Sequence, residues 1–206
     1  NLMEKNLKRM ATMHKMQVTG LELFYKNGFY NTSIDDILKE LNLSKGAFYY
    51  HFKSKEDFFI SILENLVVRK VYSMLIEPIE GHDNPLDLIT NCLEEALQTA
   101  EHNENDYGFV LNNFMNEFKG KNPEIMKYLN DTLKIWEVNL VSSLQKGKFN
   151  GHVDRHVDCE GVASYIISSF LGIRTLMVEG SATALRYRYM QQLKFYFRAI
   201  AQKQTA

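Results

Sequence analysis

Apolar residues recur along almost the whole chain at intervals of three and four, and no stretch alternates with period two for long enough to make a strand. This pattern predicts an all-α chain of about nine helices. Met13, Met16, Gly20, Leu23 and Phe24 share one face of a first helix, which Gly28 ends in a left-handed conformation. Ile34, Ile37, Leu38 and Leu41 form an i, i+3, i+4, i+7 stripe behind Ser33 and Asp36 in capping-box spacing. A much shorter helix starts after Ser44, buries Phe48 and Phe52, and ends near His51. Ser54 with Asp57 then opens a helix running from Lys55 to about Ile76.

Pro78, Gly81 and Asn84-Pro85 mark a loop, and Asn84 as N-cap with Pro85 at the first helical position starts the next helix. Its stripe is Leu86, Ile89, Leu93, Ala96, Leu97 and Ala100. Tyr107, Val110, Leu111, Phe114, Met115 and Phe118 line another. Asn122-Pro123 repeats the start signal for a helix with Ile125, Leu129, Leu133, Trp136, Leu140 and Leu144 inward and Gly147 at its end. Two more follow, at roughly Asp158 to Gly180 and Ser181 to Lys203.

The composition, 45% apolar and 24% charged, is that of an ordinary globular protein. No apolar run approaches the ~20 residues of a membrane span, and Met3 to Val18 is studded with Lys and Arg and lacks the hydrophobic centre of a signal peptide. A cytoplasmic protein without membrane contact is expected. Cys92 and Cys159 show no paired spacing, so two reduced thiols are expected. Net charge is −1, which argues against a globally cationic nucleic-acid binder. Residues 1–60, however, carry nine Lys and Arg against seven Asp and Glu, so the N-terminal part is mildly basic and the rest acidic.

The order of helix, tight turn and short helix over residues 33–52 is what a DNA-binding helix-turn-helix requires. A helix of two turns contributes little stability alone, so Phe48 and Phe52 must hold it while its other face stays free. That face carries Lys45, Gly46, Tyr49 and Tyr50, with His51 at its end. Lys supplies charge for a phosphate or a guanine edge, Gly permits close approach to the groove, and Tyr offers a hydroxyl and a ring for a thymine methyl. Lys55, in the first turn of the following helix, is placed to clamp a phosphate.

The run Phe29-Tyr30-Asn31-Thr32-Ser33-Ile34-Asp35-Asp36-Ile37, followed by Leu43-Ser44-Lys45-Gly46-Ala47-Phe48-Tyr49-Tyr50-His51-Phe52-Lys53-Ser54-Lys55-Glu56, resembles the TetR family signature over about residues 13 to 60. Beyond residue 60 the resemblance is architectural. It implies a ligand-responsive repressor that binds a palindromic operator in double-stranded DNA as a homodimer. The helix-turn-helix domain would occupy residues 1–53, and a helical domain for effector binding and dimerisation residues 54–206. By the same resemblance Lys45, Gly46, Ala47 and Tyr49 match positions that approach bases, and Thr32, Tyr50, His51 and Lys55 match phosphate contacts. Ser33 is counted with the DNA-binding residues. Two departures stand out: Asn42 replaces the usual turn glycine and tolerates a left-handed conformation, and Gly20 replaces a usual Ala, which reads as close helix packing.

Elsewhere the chemistry is less pointed. His152, His156 and Cys159 are metal-ligand types, but their spacing matches no established cage and Asp158 reads better as a helix N-cap. No activated nucleophile, Gly-rich phosphate loop or paired carboxylate points to catalysis, and neither a cofactor nor an enzyme is expected. Cys92, Phe109, Phe114, Met115, Phe118, Trp136 and Leu140 are candidates for an apolar effector pocket between helices, against the plainer reading that they are core. Ser164, Ser168 and Gly172 form a ridge of small residues which, with Met190, Leu193 and Phe197, is the candidate dimer surface, against the plainer reading of a helix pair that caps the core. A protein partner in place of a small effector is the alternative.

Overall fold

The computed structural model describes residues 2–81, 83–178 and 180–203, and among these the chain is helical with no strand beyond one isolated bridge, Val153 to Ala201. The helices are α1 (Leu2–Asn27), α2 (Ile34–Leu41), α3 (Lys45–His51), α4 (Lys55–Ile62), α5 (Val68–Val71), α6 (Pro85–Glu101), α7 (Val110–Phe118), α8 (Pro123–Phe149), α9 (Cys159–Leu176) and α10 (Ala182–Ile200). The all-α expectation therefore holds. The single helix expected over Lys55 to Ile76 is instead interrupted by π-helical turns at Leu63–Val67 and Tyr72–Ile76, with only α5 between them. Wider turns of this kind leave little trace in a three-and-four hydrophobic spacing. No described helix is long and apolar enough to cross a membrane.

The chain divides into two compact units, one of residues 1–69 with 113–130 and one of residues 70–112 with 131–206. This division differs from the sequence boundary at residue 53, because Phe58, Phe59 and Ile62 of α4 are fully buried in the first unit. In that unit α1 packs on α2 and α4. Phe24, Phe29, Phe59 and Phe118 form a continuous aromatic cluster, with ring centroids 5.3 Å apart for Phe24 and Phe29, and 5.0 Å for Phe59 and Phe118. Gln17, buried on α1, donates from Nε2 to Ser61 Oγ at 3.1 Å and so ties α1 to α4. Gly28 ends α1 with φ +88, as its sequence position predicts.

The second unit has its own aromatic centre. Phe170 of α9 meets Phe109 at 5.4 Å and Trp136 of α8 at 5.5 Å, both edge to face. Buried Arg174 grips Asp106 through two guanidinium nitrogens at 2.6 and 2.7 Å and donates to the Gly108 carbonyl at 3.0 Å, fixing the segment before α7. Arg186 of α10 pairs with Glu94 and Glu101 of α6. Gly147 does not end α8, which continues to Phe149; the left-handed residue is Gly151, φ +77. A Cβ at Gly147 would meet Pro85 Cγ at 2.5 Å, so this glycine serves close packing. The last two helices are also shorter than the sequence boundaries implied.

Gly20 is likewise a contact residue. A Cβ there would lie 2.6 Å from Phe58 Cε1 and Cζ and 3.1 Å from Ile62 Cδ1. Phe58 is wedged among Phe24, Phe48 and Phe52 and has little room to retreat. Replacing glycine by alanine in a helix normally gains about 1 kcal/mol, but overpacking costs about 1–3 kcal/mol. Gly20→Ala is therefore expected to lower the denaturant midpoint of the first unit, and a raised midpoint would contradict this packing.

Candidate nucleic-acid interface

The turn between α2 and α3 is built by local chemistry. Ser33 Oγ accepts from the Asp36 N–H at 3.1 Å while the Asp36 carboxylate accepts from the Ser33 N–H at 2.8 Å, a complete capping box that fixes where α2 begins. These bonds hold the Asp36 carboxyl below its ordinary pKa. Asn42 ends α2 with φ 52 and ψ 45, the left-handed conformation anticipated for it. Ser44 then caps α3 by accepting from the Ala47 N–H at 3.3 Å, and Ser54 caps α4 by accepting from Asp57 N–H at 3.0 Å. Asp57 answers by accepting from the Lys53 N–H at 2.8 Å. Three caps within about 20 residues thus set the entry and exit of the short helix.

Phe48 anchors α3 from behind, fully buried and 5.2 Å from Phe58, and Phe52 lies 4.7 Å from the same ring. Tyr49 and Tyr50 turn outward, 57% and 69% exposed. Lys45 is exposed at the N-terminal tip, where its ammonium meets Asp35 of α2 at 2.9 Å; that bond raises its pKa. Gly46 is exposed, and a Cβ on it would meet only Ser44 Oγ, at 3.8 Å. The fold itself therefore does not require glycine here, which leaves close approach of an outside partner as the physical use of the missing side chain. Ala47 is half-buried beside it. His51, at the C-terminal end, has its pKa lowered by burial and secondarily by the Arg9 charge, so its imidazole is held toward the neutral form.

Three expected contacts are placed otherwise. Thr32 is buried and its hydroxyl donates to the Gly28 carbonyl at 2.8 Å, so it closes the α1–α2 corner rather than offering a proton to phosphate. The Ser33 hydroxyl is likewise taken up by its capping box. Lys55 turns inward: its Nζ sits 4.2 Å over the Phe29 ring, and burial lowers its pKa. Arg9 of α1, which the sequence reading passed over, lies 5.8 Å over the Tyr50 ring. Its signal was its position one turn before Met13 on the helix face that packs inward.

The expected effector residues do not converge. Phe114 and Phe118 belong to the first unit, where they meet Phe59 at 4.9 and 5.0 Å, and Met115 is half-buried in the same helix. Cys92, Phe109, Trp136 and Leu140 belong to the second and are buried. The Cys92 thiol donates to the Met74 carbonyl at 3.2 Å, and burial pushes its pKa up to about 12, so it is an inert core group. Two surface grooves in this unit, of about 270 and 480 Å³, are lined by other residues, such as Val141 and Gln145 in one and Thr90 and Arg198 in the other.

Of the candidate dimer residues, Ser164, Ser168 and Gly172 are exposed on α9, but Met190, Leu193 and Phe197 are buried in their own protomer. The helix period was right and the face was wrong: these three are spent on the core. The exposed apolar residues are instead Tyr165 and Leu176 on α9 and Tyr187 and Phe195 on α10. Asp158 caps α9, accepting from the Glu160 N–H at 3.1 Å, and His156 Nε2 lies 3.0 Å from Arg155 Nε. Among the described residues no three His, Cys, Asp or Glu side chains are grouped to hold a metal.

Comparison with known proteins agrees with this architecture. Residues 18–62 match the family profile described as bacterial regulatory proteins, tetR family, and residues 85–191 match the tetracyclin repressor-like C-terminal domain. A helix-turn-helix regulator encoded in the lacX 3' region of Lactococcus lactis is 28% identical over 135 residues, 66% of this chain and 65% of that protein. The chain thus spans somewhat under two thirds of that relative's length. A TetR transcriptional regulator from Chloroflexus aurantiacus shares the fold with a TM-score of 0.84 at 24% identity, over 95% of this chain and 98% of that one. Bacillus subtilis FadR, solved with stearoyl-CoA, gives a TM-score of 0.71 at 18% identity over 87% and 96%. With the C-terminal profile alone covering half of its length and the N-terminal one covering the helix-turn-helix, the chain belongs to the tetR family of bacterial regulatory proteins.

Proposed function

We propose that this protein is a transcriptional repressor that binds a two-fold operator as a homodimer and leaves it when a small, apolar effector binds. The observation that carries the DNA-binding half is α3 itself. A seven-residue helix, held from behind by Phe48, presents Lys45, Gly46, Tyr49 and Tyr50 to solvent. Such a helix fits the major groove, with its N-terminal residues nearest the base edges. DNA reading falls to residues 1–53, and effector binding and dimerisation to residues 54–206. Lys45 exchanges Asp35 for a base edge or phosphate at small cost, because an exposed ion pair is worth at most about 1 kcal/mol. Lys55 reaches a phosphate only by leaving the Phe29 ring, a contact of about 0.5–1 kcal/mol near the surface.

Dimerisation is supported by the exposed small residues Ser164, Ser168 and Gly172 together with Leu176 and Phe195, which are 61% and 66% exposed. A two-fold contact repeats the same patch on both copies. The effector half is supported by the C-terminal profile and by stearoyl-CoA in the FadR structure. Phe109, Trp136 and Phe170 are in mutual contact, so an effector entering among them must favour an arrangement in which they part. It then shifts operator affinity by its differential affinity for the two arrangements.

In vitro selection from a random duplex library is expected to yield an inverted repeat; enrichment of a single asymmetric site, or of nothing, would contradict the reading. On that operator Lys45→Ala costs about 1–3 kcal/mol and relaxes preference at one half-site position. Lys55→Ala weakens native and scrambled duplexes alike and lowers the slope of log affinity against log salt by roughly one. The reverse pattern would interchange the two roles. Gly172→Leu tests the dimer cleanly, because a Cβ at Gly172 meets nothing within 4 Å in the protomer. Light scattering is expected to show the parent chain as a dimer at micromolar concentration and the variant as largely monomeric with an unchanged helical spectrum; a monomeric parent would refute the dimer.

A further inference from the structure

Helix α1 begins far ahead of the point where it meets the rest of its unit. Its first buried residue is Met16, and residues 3–11 are all exposed. Within this overhang the charges are not scattered evenly. At 3.6 residues per turn, Arg9 falls within about 20° of Met16 around the helix axis, and Lys5 within about 20° on the other side of Met16. Both cations therefore continue the face of α1 that looks toward the other helices of its own unit. Arg9 shows where that face leads: its guanidinium stands 5.8 Å over the ring of Tyr50, on the outward side of α3. Lys15, also exposed, is about 120° around the axis from Arg9.

We infer that the N-terminal overhang of α1 is a second DNA-contacting element, in which Arg9, steadied on the Tyr50 ring, and Lys5, one turn further out, hold phosphates flanking the groove that α3 enters. The two cations are separated by about 6 Å along the helix, a step comparable to that between successive phosphates of one strand. Neither is tied to a carboxylate by a described ion pair, whereas Lys8 in the same stretch is 3.9 Å from Glu4. A guanidinium resting on an aromatic face remains free to donate from its edge. Tyr50 thereby acquires a purpose besides its hydroxyl, as the platform that aims Arg9. The inference deepens the DNA-binding reading and rests on it.

The test uses the full chain and a mixed-sequence duplex of about 30 base pairs, three helical turns, with affinity measured across a series of salt concentrations. Lys5→Gln and Arg9→Gln are each expected to lower the slope of log affinity against log salt by about 0.9, and the double variant by about twice that. Lys15→Gln removes the same charge from another face and is expected to leave the slope within error of the parent. All three positions are exposed, and equal thermal midpoints would show that the fold is intact. An unchanged slope in the double variant, or an equal fall with Lys15→Gln, would overturn the inference while leaving DNA binding in place. If the parent chain itself shows no salt-dependent binding, the DNA-binding reading fails and this inference falls with it.

Discussion

Everything at the DNA-reading end depends on how a helix too short to persist by itself is kept folded. Helices below about 12–15 residues are marginal in water, and α3 has seven. Its order comes from Phe48 and Phe52 closing on Phe58, which is itself packed against Phe24 and faces the bare backbone of Gly20. Burying a phenylalanine is worth about 1.5–3 kcal/mol, and each well-set ring pair about 0.5–1.5 kcal/mol more. The cluster thus replaces intrinsic helix stability with tertiary packing on one side of α3. The opposite side is left without internal duties, and that is where Lys45, Gly46, Tyr49 and Tyr50 stand.

A second regularity concerns the cations around that face. Lys45 rests on Asp35, Lys55 on Phe29, and Arg9 on Tyr50. Each partner is close enough to orient the cation and too weak to retain it against a phosphate. Exposed ion pairs and cation–π contacts are each worth about 1 kcal/mol or less. A chain with net charge −1 can in this way present a locally positive surface while limiting repulsion among its own cations.

Much of the helix-turn-helix was legible in the sequence because its signals are local. The Ser33–Asp36 box, Asn42 in the turn, Ser44 and Ser54 as caps, and Phe48 as anchor each act within a few residues, and each is found in that role. What depended on distant packing was not legible. The Thr32 hydroxyl turns to Gly28, a choice decided by burial at the α1–α2 corner. Phe114 and Phe118 share a periodicity with residues of the second unit yet join the aromatic cluster of the first. Met190, Leu193 and Phe197 follow a valid helical stripe, but a stripe does not say whether it meets its own protomer or another; α6 takes this one. The π turns after α4 left no periodic mark.

The central claim is that α3 is preformed, ordered by the aromatic cluster before any DNA arrives. Native-state hydrogen exchange of the free protein measures this directly at the amides of Phe48 and Phe52, which bond to the carbonyls of Ser44 and Phe48 at 3.4 and 3.0 Å. The account predicts protection at both comparable to that of the α1 interior around Phe24, since one cluster holds all of them. Exchange at the rate of an unstructured peptide in α3, with α1 still protected, would contradict it.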